Sequence, residues 1–398
     1  MSTKVSPAPF SSSLLLPPIL FFLSPLFFLP MKIAHILTTL EMGGAQLSTL
    51  RLIKALQENP TWEVTLIVGV DGPLRSELGN IRNLIWLPTL KRSFHGIRDL
   101  FCLFQLISLM KKNSFDVVHS HSSKPSIVGR LAALFARVPV IFHTYHGFGH
   151  DFFRKRFQQI LFRWMERWLN KKSSGLIFVC DENLDRAKKL SLLHPRENFL
   201  IPDFLSFENF SQRPQNKLCH SLSNPVIVSV LSFKEQKNPL ALITLCRKIV
   251  QQYPNAEFRL IGEGPLLAEC KRQALSQKLN IHFMGVVLDI EKQYRAADLF
   301  IGASRFEGLS MAQLECLYFQ VPMVITKAGG ISEIMEHGKQ GFFYNRNNLQ
   351  EAFLFCDLIL SGQFQYTPKQ NSFFKTFESS HLIKKHQNLY RVEPFKKL

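Results

Sequence analysis

An alternation that runs along the chain twice limits what it can fold into. Short apolar runs alternate with longer segments in which apolar residues recur every three or four positions. Residues 32–37 read as a buried strand. A Gly43-Gly44 turn follows, and then a helical pattern carrying Leu47, Leu50, Leu52 and Leu56. Further strands are expected at 64–68, 115–119, 138–144 and 175–180, with helices at 97–110, 127–136 and 152–169. The polar stretch 204–225, rich in Ser, Asn and Pro, interrupts the pattern and reads as a linker or long surface loop. The alternation then restarts. Strands are expected at 226–230, 258–261, 281–283, 297–301 and 322–325, and helices at 240–252, 266–276 and 311–319. Such alternation predicts parallel sheets covered by helices. The fold class is therefore α/β, with two Rossmann-like three-layer units and a ligand-sized cleft between them.

Composition narrows the function classes. With 398 residues, 46% of them apolar, the chain is neither disordered nor in need of disulfide staples. Its seven cysteines contain no CxxC pair, which predicts buried thiols in a reducing compartment and argues against a zinc site. The net charge of +18 favours a polyanionic partner: nucleic acid, an anionic membrane face or a phosphorylated substrate. The charges are spread along the chain with no recognised nucleic-acid motif, so no nucleic-acid partner is expected. The densest basic cluster is Arg154, Lys155, Arg156, Arg163, Arg167, Lys171 and Lys172, in a segment rich in Phe, Trp and Leu. That is the form of a membrane-surface helix, and equally of an ordinary helix with one core face and one solvated face.

Residues 1–30 differ from the rest. The run LLLPPILFFLSPLFFLP is shorter than a spanning helix and holds four prolines. It is expected to be an apolar extension, either untranslated or a weak anchor, with the domain opening at Met31.

Four local patterns carry chemistry. Gly43 and Gly44 lie between the first strand and the first helix, where free helix N–H groups can meet a phosphate, although GxGxxG is absent. His119 and His121, and then His143 and His146, lie at the ends of neighbouring strands. His119 and His121 have the spacing of some metal sites, but no nearby carboxylate or cysteine completes a ligand set, so no metal is expected. The segment SRFEGLSMAQLEC sets Glu307 and Glu315 eight residues apart, one at a turn and one on the helix after it. Both can grip sugar hydroxyls. Ala328-Gly329-Gly330 resembles a second phosphate loop.

Taken with IAHILTTLEMGGAQ, DVVHSHSSKPSIVGRLAA, VPVIFHTYHG, KEQKN, LIGEGP and VPMVITKAGGISEIM, these segments resemble the retaining GT-B glycosyltransferases of family 4 (glycosyl transferases group 1), of the bacterial surface-glycan type. The resemblance spans Met31 to about Arg391. It implies an acceptor-binding domain at 31–203, the linker 204–225, a nucleotide-sugar-binding domain at 226–370, and a final segment, 371–398, crossing back to the first domain. It implies a nucleotide-diphosphate sugar as donor, most often UDP-linked, and a lipid-linked or cell-surface glycan as acceptor. The setting would be lipopolysaccharide, capsule or O-chain synthesis at the inner face of the cytoplasmic membrane. His146, Glu307 and Lys237 would be catalytic. Gly43, Gly44, Ser232, Lys237, Gly308, Leu309, Ser310 and Glu315 would bind the donor.

The chain has no DxD carboxylate pair, which implies a metal-independent reaction with no cofactor. Two departures from the family pattern stand out. Leu231 and Ser232 stand where a basic residue is usual, and Phe204 stands where Asn-Gly usually ends the junction. The same fold with a soluble acceptor, or a non-catalytic scaffold, are the alternatives.

Overall fold

The computed structural model describes residues 30–391 except 154, 204–206, 208, 209, 212, 215–222 and 288. The extension up to residue 29, the departure at Phe204, Cys219 and part of the polar stretch lie outside the described residues.

The first sheet is built from β1 (Met31–Thr39), β2 (Trp62–Val70), β3 (Asn83–Trp86), β4 (Val117–His121), β5 (Val140–Tyr145), β6 (Gly175–Phe178) and β7 (Asn198–Leu200). The second is built from β8 (Val226–Val230), β9 (Glu257–Ile261), β10 (Ile281–Gly285), β11 (Leu299–Gly302), β12 (Met323–Thr326) and β13 (Gly341–Tyr344). Their spatial orders are β3-β2-β1-β4-β5-β6-β7 and β10-β9-β8-β11-β12-β13, and every ladder is parallel. In each sheet the order reverses beside the first strand, at β1/β4 and at β8/β11. Those switch points open the crevices where α/β ligands bind.

The helices are α1 (Gly44–Leu56), α2 (Gly96–Asn113), α3 (Arg130–Phe135), α4 (Arg156–Lys172), α5 (Asp181–Lys189), α6 (Pro239–Gln252), α7 (Leu267–Ser276), α8 (Ile290–Ala296), α9 (Met311–Tyr318), α10 (Ile331–Ile334), α11 (Leu349–Leu360), α12 (Asn371–Lys375) and α13 (Ser379–Tyr390). They cover the sheets, so the central strands are buried on both faces and read as continuous apolar runs. The molecule is two Rossmann-like α/β domains facing across a cleft, the GT-B architecture.

Sequence periodicity misses β3, β7 and β13. These strands end their sheets, are three or four residues long, and need no unbroken apolar run. It also misses α5, DENLDRAKK, whose inward positions include Asn183 and Ala187. The expected helix at 127–136 begins with a π-turn, Pro125–Gly129, before α3. β4 lies two residues later than expected, which brings His121 inside the strand. The six described cysteines are all buried, and none forms a disulfide.

Two connections run between the domains. Phe207, in the otherwise polar stretch, is buried against Tyr318 and Phe374 of the second domain, at ring distances of 4.8 and 5.2 Å. At the other end, α13 returns to the first domain. Leu382, Leu389 and Tyr390 share a core with Ile33, Leu37, Leu50 and Trp62.

Candidate active site

Period-two alternation places His119 and His121 on the same face of β4, with His35 of β1 in register with His119. Thr144 and His146 continue that face from β5. His146 Nδ1 lies 3.0 Å from Asp203 Oδ2, and its Nε2 lies 3.3 Å from His121 Nδ1. His121 Nε2 lies 3.0 Å from His35 Nδ1. Tyr390, on α13, reaches His119 Nδ1 at 2.5 Å, while His119 Nε2 bonds Thr144 Oγ1 at 2.7 Å. His143 faces the opposite side of β5 and bonds Ser120.

Burial favours the neutral form of the innermost imidazoles. It pushes His35 down to about 3 and His386 down to about 4, and takes His119, His121 and His143 well below the ordinary imidazole range, with neighbouring histidines adding to the effect in His35, His119 and His121. Among the described residues, His35, His119 and His121 form the group with metal-ligand spacing. Both nitrogens of His119 are already engaged by Tyr390 and Thr144, so the group reads as a hydrogen-bonded cluster.

The second domain supplies the carboxylates. Lys237 Nζ and the Ser304 hydroxyl, at 2.6 Å, both donate to Glu307 Oε1. Glu315, on α9, is buried and accepts from the Tyr294 hydroxyl at 2.8 Å. Burial pushes its carboxyl up to about 7, opposed by that hydrogen bond and by the charge of Arg51 on α1. Arg51, in the first domain, therefore interacts electrostatically with the second carboxylate of the motif. Its Nη1 is buried without a hydrogen-bond partner.

The glycines sit where the domains touch. A Cβ on Gly44 would lie 2.7 Å from Met311 Cγ, so the start of α1 abuts the start of α9. Gly43 is the N-cap of α1 with no side-chain cap bond, which leaves first-turn amides without a side-chain acceptor. Ser310 precedes α9 in the same way. A Cβ on Gly308 would lie 2.2 Å from the His146 carbonyl oxygen, so only glycine allows that approach. Leu309 is buried beside Gly330.

The Ala328-Gly329-Gly330 loop is not an open cradle. The Gly330 N–H is taken by the Gly308 carbonyl at 2.9 Å, and Gly329 has φ 71° against Glu307 and Gly308. Beyond it, Glu333 accepts from the Asp181 and Glu182 amides at 3.0 and 2.7 Å, capping α5 of the other domain. Glu41 and Lys234 form a further ion pair across the cleft. Ser232 lies on the rim, two residues before Lys234, and its carbonyl accepts the Lys234 amide.

The structure thus groups His146 with Gly308, Gly44 with the N-terminus of α9, and Lys237 with Glu307. Sequence reasoning assigned no role to His35, Arg51, Asp203, Ser304 or Tyr294. His35 alone had a legible signal, the same alternation that links His119 and His121.

Residues 42–204 match the model described as Glycosyltransferase Family 4, and residues 212–370 match Glycosyl transferases group 1. The chain is a GT-B glycosyltransferase related to both families. It is 27% identical over 329 residues to the Escherichia coli UDP-Gal:alpha-D-GlcNAc-diphosphoundecaprenol alpha-1,3-galactosyltransferase, covering 80% of this chain and 85% of that one. It is also 27% identical to the putative glycosyltransferase EpsD of Bacillus subtilis, over 64% of this chain and 69% of that one. Among solved structures, Anabaena HepE in complex with UDP and glucose has a TM-score of 0.70 at 16% identity, covering 90% of this chain and 99% of that one. The lipopolysaccharide outer core galactosyltransferase WaaB has a TM-score of 0.62 at 14% identity, covering 90% and 98%. At those identities the two structures speak to fold.

Proposed function

We propose that this glycosyltransferase moves a sugar, with retention of anomeric configuration and without a metal, from a UDP-linked donor to a lipid-linked glycan acceptor at the inner face of the cytoplasmic membrane. One observation carries the reading. The Glu307/Glu315 motif and the uncapped start of α1 lie at the same interdomain contact, marked by Gly44 against Met311. Carboxylates for sugar and ribose hydroxyls therefore share a cleft with amides suited to a diphosphate.

In that cleft Glu315 holds the ribose, and Gly43, Gly44, Ser310 and the Gly308–Leu309 backbone line the diphosphate and sugar. Lys237 exchanges part of its Glu307 contact for the departing phosphate, and Glu307 turns to the sugar hydroxyls. The acceptor hydroxyl attacks the anomeric carbon on the face that the diphosphate leaves. The carbon–oxygen bond to the diphosphate breaks, and the leaving phosphate takes the hydroxyl proton. Positive charge and oriented amides stabilise the charge that develops on it.

The lipid setting is supported by α4, which carries apolar residues on both sides. It buries Phe162 and Leu169, with Glu166 and Asn170 toward Arg130 and Tyr145, while Phe157 and Trp164 are 72% and 62% exposed. Ile160, Leu161 and Trp168 join them, and α2 presents Ile97, Leu100, Phe101 and Phe104. Of the two readings of this basic segment, outward aromatics among lysines and arginines favour the membrane face. No helix among the described residues is long and apolar enough to cross a membrane. The activity named for the Escherichia coli relative, on a diphosphoundecaprenol-linked sugar, supports the same acceptor class.

The test is transfer from a panel of UDP- and GDP-sugars to a detergent-dispersed, lipid-diphosphate-linked GlcNAc, with the product linkage read by NMR. An α-linked product formed from an α-donor in the presence of a chelator is expected. A β-linked product, or an absolute requirement for magnesium, would overturn the mechanism.

A further inference from the structure

The histidine cluster carries an order that the proposed chemistry does not use. Three imidazoles lie end to end from Asp203, whose Oδ2 is 3.0 Å from His146 Nδ1; His146, His121 and His35 are then joined nitrogen to nitrogen at 3.3 and 3.0 Å. A carboxylate only accepts, so the His146 Nδ1 beside Asp203 must carry its proton. A neutral His146 then has a lone pair on Nε2, which must accept from His121 Nδ1. His121 Nε2 must in turn accept from His35 Nδ1. The chain ends at His35 Nε2, which is buried and has no hydrogen-bond partner. A lone pair there is the consistent outcome of an order dictated from the Asp203 end.

The rings are held in place by their neighbours. His119, fixed between Tyr390 and Thr144, packs on His121 at a ring distance of 4.1 Å. His35 stacks on His121 at 5.3 Å and 14°.

We propose that Asp203 is a positioning residue that holds His146 as the Nδ1-protonated tautomer, so that His146 meets its ligand as a hydrogen-bond acceptor at Nε2, the atom that His121 occupies in the structure. The inference rests on the proposed function and on the catalytic place that the family resemblance implies for His146. Both ring nitrogens are engaged in the structure, so a sugar hydroxyl reaches Nε2 only by replacing the His121 N–H, the longest link of the three. The ligand group must donate a proton. A donor whose group at that position only accepts would be refused.

The test reads tautomers directly and does not depend on activity. Full-length protein labelled with 15N-histidine would be examined by long-range 15N–1H correlation, with assignments from single-histidine variants. Neutral His35, His121 and His146 are all expected to be protonated on Nδ1. Asp203→Leu should move the proton of His146 to Nε2 and lower kcat at least tenfold, with the nucleotide-sugar KM within about threefold. Asp203→Asn, whose amide oxygen still accepts, should keep the tautomer and restore most of kcat. If Asp203→Leu does not fold, His121→Phe serves in its place, and His146 should then stay Nδ1-protonated because Asp203 remains. His146 protonated on Nε2 in the native protein, or in His121→Phe, would overturn the proposal even if transfer activity is established. Absent transfer with the expected tautomers would count against the proposed function alone.

Discussion

On the proposed function, Glu315 is expected to couple ligand binding to pH. Its carboxyl titrates at about 7 in the folded protein, chiefly because it is buried, and a carboxylate grips ribose hydroxyls best when ionised. Nucleotide-sugar affinity is therefore expected to rise with pH toward about 7 and then level off, losing up to about tenfold per unit below that point. Calorimetry in buffers of different ionisation enthalpy would detect the accompanying proton release. Glu315→Gln should bind more weakly and lose this dependence. Gly308 makes a steric prediction. A methyl group there meets the His146 carbonyl at 2.2 Å, so Gly308→Ala should hold the domains apart. A loss of about 100-fold in kcat/KM is expected, as for other displacements of about an ångström, with thermal unfolding little changed. The spacing of Glu307 and Glu315 was legible in sequence because both belong to one contiguous segment. Arg51 and Tyr294 were not, since each meets Glu315 only after a separate element has packed against it.

At the scale of elements, the central strands and most helices could be read from periodicity because burial on two faces or one stripe imposes it. Edge strands β3, β7 and β13 escaped because half-exposed positions tolerate any residue. α4 escaped differently. Its period was visible, but sequence could not say that aromatics would remain on the outer face, while a buried polar group of Arg130, Asn170 and Tyr145 takes part of the inner face beside Phe162 and Leu169. The outward apolar face then predicts a function for the element. Trp164→Asp with Trp168→Asp should reduce binding to vesicles containing anionic lipid by at least about tenfold, since the exposed part of each indole leaves water when it inserts. Sedimentation with vesicles measures this, and turnover of a water-soluble acceptor analogue should be unaffected. Equal vesicle binding by the variant would leave the helix without that role.

The whole molecule carries its own pH dependence. His35, His119, His121, His143 and His386 are buried with folded values depressed below 6.5, so the unfolded chain binds more protons as the pH falls. Their contribution to stability is complete above about pH 6.5. It is lost progressively toward pH 4 and below, at roughly 1.4 kcal/mol per pH unit for each histidine that charges only on unfolding. Thermal unfolding temperatures should drop steeply between pH 6.5 and 4.5, and a flat profile there would contradict the neutral, packed cluster. The two-domain plan itself was legible, because the alternation stops and restarts. The closure contacts were not: Glu333 on the α5 amides, Glu41 with Lys234, and α13 on β1 and β4 join residues far apart in sequence. The central claim is that this closed cleft binds a nucleotide sugar through α1, Lys237 and the two glutamates, without a metal. Calorimetric titration of the protein with UDP, GDP and their sugars, in chelator and then in magnesium, tests it most directly. One sugar nucleotide should bind in chelator, with little gain from magnesium and loss on Glu315→Ala. No binding by folded protein, or binding that survives Glu315→Ala, would contradict it.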